Sequence, residues 1–168
     1  MRSLLSAGVD TTVTALGSAI WCLARIPEQF QRLKADPKLA RWAFEEMLQY
    51  ILPVHSFCRT ADVDTEVSGI KIVIGAKILC VLGAANLDEN HRPEADKFNI
   101  ERRPSENLAL GVGIHACVGQ NVARAEGEAV LTAVAIKVGS IELSGEAVWR
   151  PNNSIRTSDP RPVTFRVR

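Results

Sequence analysis

The residues with the clearest chemical potential lie in the run Leu110-Gly111-Val112-Gly113-Ile114-His115-Ala116-Cys117-Val118-Gly119, followed by Ala123-Arg124-Ala125-Glu126. Gly111 and Gly113 let the backbone turn tightly and come close to a flat ligand, and Gly119 allows the same just past the cysteine. Cys117 then precedes a helix start, where unpaired N–H groups and the helix dipole favour a thiolate. A thiolate held by backbone donors is the ligand with which a haem iron is driven toward O–O cleavage. Read alone, the same pattern equally describes a glycine-rich turn carrying an inert, buried cysteine. A zinc site built on His115 and Cys117 needs two more ligands at suitable spacing, and neither His55 nor His91 sits in such a motif. A second group of interest is Ala7-Gly8-Val9-Asp10-Thr11-Thr12. A hydroxyl at Thr11 and an acid at Asp10, beside a glycine-loosened helix turn, can hold a water and pass protons into a water-poor pocket. The competing reading is an ordinary N-cap for a helix that starts near residue 11.

The elements that must carry these groups follow from periodicity. Val13, Leu16, Ile20, Leu23 and Ala24 recur at helical spacing over residues 11–25. Pro27 suits the first turn of a second helix running to about Ala35, and Asp36-Pro37 breaks it. A third helix is expected from about Lys38 to Tyr50, with Pro53 beyond its stop. The period then changes. Glu66-Val67, a Ser68-Gly69 turn and Ile70-Lys71-Ile72-Val73 read as a hairpin, with another strand over residues 77–82. Residues 86–107 are polar and irregular, a length that is more often functional than idle. A last long helix is expected from about Gly119 to Lys137, with Val122, Ala123, Ala129, Val130, Ala133 and Val134 on its apolar side. Short strands follow at residues 141–143 and 163–167. The sum is an α+β chain, mainly α, in a single domain.

Composition narrows the function classes. The 168 residues are 46% hydrophobic and 23% charged, with a net charge of +1. That balance has no electrostatic footprint for nucleic acid or an anionic membrane. The first ten residues are too short and polar for a secretory signal, and the longest apolar stretch, residues 15–24, falls short of a bilayer span. A cytoplasmic location is expected. The cysteines, Cys22, Cys58, Cys80 and Cys117, form no CxxC pair, so free thiols are the default.

The run around Cys117 resembles the haem-binding signature Phe-Gly-x-Gly-x-His-x-Cys-x-Gly-x-x-x-Ala-Arg-x-Glu of cytochromes P-450. It matches at Gly111, Gly113, His115, Cys117, Gly119, Ala123, Arg124 and Glu126, with Leu110 in place of Phe. The Asp10-Thr11 group resembles the family's oxygen-activation motif, at the interval before the cysteine that the family requires. Glu45-Glu46-Met47-Leu48-Gln49-Tyr50 resembles its Glu-x-x-Arg helix, with Gln49 where Arg is usual. Ala84-Ala85-Asn86-Leu87-Asp88 resembles its Ala-Asn-Arg-Asp step, with Leu87 for Arg.

The resemblance covers nearly the whole chain and implies the C-terminal part of the cytochrome P-450 fold, residues 1–168 forming one partial domain. The chain would be a truncated product or fragment bearing the proximal haem wall and a remnant of the distal one. It implies haem b ligated by Cys117, with His115 and Arg59 meeting the propionates, and a cluster of Glu46, residue 49 and Arg102. It further implies a monooxygenase fed by a ferredoxin-type donor and its reductase, acting on a small organic substrate. The tail Asn152-Asn153-Ser154-Ile155-Arg156 loosely resembles bacterial members that act on para-substituted benzoates. The alternative is an inactive remnant that binds haem weakly or serves as an interaction fragment.

Overall fold

Small residues set the first packing decision. In the computed structural model, which describes residues 2–103, 107–148, 155 and 162–167 (backbone only for 2–6), helix α1 spans Arg2–Arg25. Its buried stripe is Ala15, Ser18, Ala19, Cys22 and Leu23, at helical spacing, so its backbone approaches its neighbours closely. Ser18 spends its hydroxyl on the Thr14 carbonyl, 2.6 Å away, and so enters the core without an orphan donor. The expected face is rotated: Val13 is 65% exposed, and Leu16 and Ile20 are only half-buried. The 19 residues Ala7–Arg25 are also long and apolar enough to cross a membrane by length and composition, longer than residues 15–24 suggested. Here that stretch packs one side on the third and fifth helices and on a strand.

Helix α2, Pro27–Ala35, starts on Pro27 and stops at Asp36, whose carboxylate caps the Lys38 amide at 3.1 Å. A 3₁₀ turn, Pro37–Leu39, leads into α3, Ala40–Tyr50, which therefore begins two residues later than expected. Helix α3 is the centre of the fold. Phe44, Met47 and Leu48 are buried, as are the polar Glu45, Glu46 and Gln49. Helix α5, Gln120–Lys137, lies against it through Gly127, Leu131 and Ala135. Val122, Ala129 and Ala133 of its expected apolar side face outward instead. The reason is steric. A Cβ on Gly127 would stand 2.4 Å from the Phe44 ring, so the glycine face alone allows the close approach.

Among the described residues, three two-stranded antiparallel sheets decorate the helices. Strands β1 (Ser56–Thr60) and β4 (Lys77–Val81) pair in the register Phe57 with Cys80 and Cys58 with Leu79. Strand β1 has no alternation that marks it in sequence. Strands β2 (Thr65–Val67) and β3 (Ile70–Ile72) form the expected hairpin, and Ser68 and Gly69 both take positive φ, as its two-residue turn demands. Strands β5 (Val138–Leu143) and β6 (Val163–Val167) close the C-terminal side. A short helix, α4 (Leu82–Asn86), follows β4 directly.

The irregular segment after α4 is held by polar groups rather than by regular structure. Arg102 donates to the carbonyls of Pro93 (2.8 Å), Glu94 (2.7 Å) and Lys97 (3.2 Å), and through Nε to Glu46 Oε1 (3.1 Å). Asn99 N–H donates to the same Glu46 oxygen at 2.9 Å, and Ile100 N–H to Gln29 Oε1 at 3.0 Å. Gln49 turns elsewhere: its amide nitrogen reaches the Asn86 carbonyl at 3.4 Å, while its Oε1 and Glu46 Oε2 are buried without a hydrogen-bond partner. Burial pushes the Glu46 carboxyl above its usual value of 4.5, outweighing the Asn99 amide and the Arg102 and Arg92 charges.

Two outcomes test this packing. Gly127→Ala is expected to lower stability by about 1–3 kcal/mol, the cost of overpacking exceeding the gain in helix propensity. Denaturant midpoints read it, and an unchanged or raised midpoint contradicts the tight α3–α5 contact. The second concerns pH. Because the folded pKa of Glu46 is raised, its contribution to stability is full below its usual 4.5 and is lost as pH climbs through the raised value. Gln49→Arg supplies a partner to the charged carboxylate, so its gain should be small in acid and grow over that window to about 1–3 kcal/mol. A gain independent of pH, or a loss, shows that Glu46 and residue 49 are not coupled.

Candidate functional site

Between the 3₁₀ turn Leu108–Leu110 and α5 the chain forms a closed loop. Cys117 N–H donates to the Leu110 carbonyl at 2.7 Å and clamps its two ends together. Inside it, His115 N–H reaches Val112 O at 3.2 Å and Ala116 N–H reaches Gly113 O at 3.1 Å, building a second 3₁₀ turn, Gly113–His115. Gly111 has φ +69°, and a Cβ there would lie 2.5 Å from the His115 carbonyl oxygen. Gly113 has φ +59°. The loop thus excludes an L side chain at Gly111 for two independent reasons.

Cys117 lies two residues before Gly119, the N-cap of α5, and its carbonyl accepts from Gln120 N–H at 3.2 Å. A Cβ on Gly119 would sit 3.9 Å from Cys117 Sγ, an ordinary contact, so the sulfur lies beside the first turn of α5. The thiol is solvent-accessible, as is that of Cys58, whereas Cys22 is buried and Cys80 half-buried. Gly119 and Gly113 shape this loop without lining the cavity beside it.

That cavity, of ≈ 450 Å³, gathers Thr11 and Thr12 from α1, Phe44 and Leu48 from α3, Phe57 and Arg59 from β1, and Leu110, Gly111, His115 and Cys117 from the loop. Its other walls are mostly aliphatic, including Ala7, Pro53, Val54, Leu82 and Leu108, with Cys80 among them. Helix α1 runs unbroken through Asp10-Thr11-Thr12, so these residues are mid-helix and do not cap a helix start near residue 11. Thr11 donates its hydroxyl to Ala7 O at 2.8 Å, which leaves its lone pairs able to accept a proton donor in the cavity. Asp10 is exposed and does not line the cavity. Arg59 does line it, donating to Cys58 O at 3.0 Å with its guanidinium over the Phe57 ring. The resulting slot is apolar, with the thiols of Cys117 and Cys80, α1 hydroxyls and the Arg59 cation. It suits a flat apolar group with acidic arms and a metal that takes a thiolate.

Several contributors had no marking in sequence. Phe57 and Cys80 reach the cavity because β1–β4 pairing sets them opposite each other on one sheet face, a register no local pattern announces. Phe44, Leu48, Val54 and Leu82 also line it, and no motif in the sequence marks them. Glu45 is a further case: it is buried against Arg124, whose Nη1 also donates to Gln120 Oε1 at 2.7 Å, tying α3 to the first turns of α5. Within the tail motif Asn152-Asn153-Ser154-Ile155-Arg156 only Ile155 lies within the described residues, bridged to Val54.

Comparison with known proteins agrees with this arrangement. The family model Cytochrome P450 matches residues 1–136. Cytochrome p450 CYP199A2 of Rhodopseudomonas palustris is 48% identical over 163 residues, which is 97% of this chain and 40% of that protein. Cytochrome P450-terp of a Pseudomonas species is 40% identical over 97% of this chain and 38% of its own length. Among solved structures, cytochrome P450 CYP109Q5 from Chondromyces apiculatus superposes with a TM-score of 0.93 at 33% identity, over 99% of this chain and 44% of that one. CYP108D1 from Novosphingobium aromaticivorans gives 0.92 at 36% identity, over 97% and 40%. The chain thus spans about 40% of the length of the curated relatives it matches. With its mainly helical α+β architecture and its cysteine loop, it belongs to the cytochrome P450 family.

Proposed function

We propose that residues 1–168 are one partial domain of a haem-thiolate monooxygenase, that Cys117 would hold the iron of a haem b through its sulfur, and that the chain acts on a small organic substrate. The observation that carries the reading is convergence: Thr11, Arg59, His115 and Cys117, spread over more than a hundred residues, line one apolar cavity. When bound, the haem supplies the iron at which O₂ is activated for insertion of one oxygen atom into the substrate.

The roles of the chain's own residues follow from their chemistry. Cys117 offers a soft thiolate from a loop whose ends its own amide has already clamped, so the sulfur is positioned by the backbone before any ligand arrives. Gly111, Gly113 and Gly119 keep side chains off that loop, and Leu110 contributes apolar wall where the family has Phe. Arg59 and His115 are the donors for propionate carboxylates, Arg59 through a planar fork suited to a bidentate partner. Thr11 holds a proton donor at its hydroxyl oxygen, and Asp10, exposed on the same helix, exchanges protons with solvent. Phe44, Leu48, Val54 and Phe57 exclude water, without which the protons would leak. Glu46 and Arg102 act at a distance, pairing to hold the irregular segment before the loop, while Gln49 reaches the Asn86 carbonyl.

The same reading makes a ferredoxin-type protein and its reductase the electron source, in the cytoplasm. That assignment draws on the bacterial cytochromes P450 to which the chain is similar. An aromatic acid is the substrate class to try first, on the tail motif.

The ferrous–CO spectrum of the purified chain, with haem added, tests the reading. The parent should show the red-shifted Soret band of thiolate ligation, and Cys117→Ala should lose it. A parent that binds haem without that band, or with the same spectrum as Cys117→Ala, overturns thiolate ligation and leaves the weak-binding remnant.

A further inference from the structure

The cysteine loop has an anchor that the roles above do not use. Asn86, the last residue of α4, is 1% exposed, and every polar group of its side chain is engaged. Its Oδ1 accepts from Leu108 N–H at 3.0 Å, at the start of the 3₁₀ turn that ends on Leu110. Its Nδ2 donates to Asn107 Oδ1 at 3.0 Å. Asn107 in turn caps that turn through Ala109 N–H at 3.0 Å and donates to the Glu45 carbonyl of α3 at 3.2 Å. The Asn86 carbonyl receives the Gln49 amide, so one residue joins α3, α4 and the entry to the loop. Leu110 is the residue whose carbonyl clamps Cys117 N–H.

We infer that Asn86 is a positioning residue for Cys117: through Leu108, Asn107 and Leu110 it sets the height and tilt at which the loop presents its sulfur. The geometry favours this over a purely stabilising role. The side chain spends both its acceptor and its donor on the three-residue turn that carries the clamp, and none on the hydrophobic core. A side chain unable to make those bonds leaves the half-buried Leu108 amide without its partner, and the turn then relaxes to satisfy it. The relaxation passes to Leu110 O and so to the Cys117 amide. The short carboxamide is specific to the task, because it must accept from a backbone N–H and donate to a side-chain oxygen at once.

The test compares Asn86→Leu and Asn86→Asp with Leu33→Ala, a remote core change in α2. The first arm needs no haem: amide hydrogen exchange in the full chain. Asn86→Leu should speed exchange at Cys117 and Gly111 by about tenfold over the parent, as expected when a local opening is released. Leu33→Ala, normalised for its loss of global stability, should leave those two amides unchanged. Asn86→Asp, which keeps the acceptor for Leu108 and loses the donor to Asn107, should fall between. The second arm rests on the proposed haem ligation: Asn86→Leu should lower the thiolate-type share of the ferrous–CO band, with Leu33→Ala retaining it. If Cys117 exchange in Asn86→Leu matches that in Leu33→Ala, Asn86 is only a stability residue and the inference is wrong. If exchange responds but the parent itself shows no thiolate band, the positioning role stands and the haem reading falls.

Discussion

The fold depends on what α3 does with three polar side chains that it buries. Glu45, Glu46 and Gln49 lie on a helix whose other faces are apolar, so each must find a partner inside or stand at a large desolvation cost. Their partners come from segments with little regular structure of their own. Glu46 takes Asn99 and Arg102, Gln49 takes Asn86, and Glu45 takes Arg124 through its carboxylate and Asn107 through its carbonyl. A helix that would otherwise be a greasy rod becomes the template on which irregular chain is laid out.

That template explains how the described residues of the non-repetitive stretch after α4 are held in place. Buried backbone groups must be paired, and a segment without helix or strand has to borrow its partners. Arg102 is suited to this because its guanidinium spreads several donors across one plane: three satisfy carbonyls of the segment and the fourth meets Glu46. A weak joint lies at Gln49. Gln49 Oε1 and Glu46 Oε2 both lie buried without hydrogen-bond partners, and burial raises the Glu46 pKa.

Apolar surface tells a complementary story. Val9 and Val13 on α1, Ile114 and Val118 on the loop and Val122 on α5 are all more than half exposed. The chain matches about 40% of its relatives' length, and these side chains cluster on elements that line or flank the cavity. The same α1 buries small residues toward α3, so its two faces differ in kind: a close-packed seam inside and larger aliphatic residues outside.

Much of the cysteine loop was legible in sequence, because backbone conformation there is dictated by residue type. Gly111 and Gly113 take positive φ, Ser68-Gly69 makes its turn, Pro27 opens α2, and Glu46 and Arg102 sit at the positions their motif implies. What periodicity could not decide was which face of a helix becomes interior. Val13, Val122, Ala129 and Ala133 looked buried and are not, because close approach at Ala15, Ala19 and Gly127 outweighs hydrophobic size when helices pack. Nor could it see long-range pairing. The β1–β4 register that turns Phe57 and Cys80 into the cavity, and the Asn86–Asn107 link beneath Cys117, join residues more than twenty apart. Residue types and local spacing determined the loop and the turns. Only the tertiary structure decided which side chains meet, since a hydrogen bond or a packed face is a property of two segments.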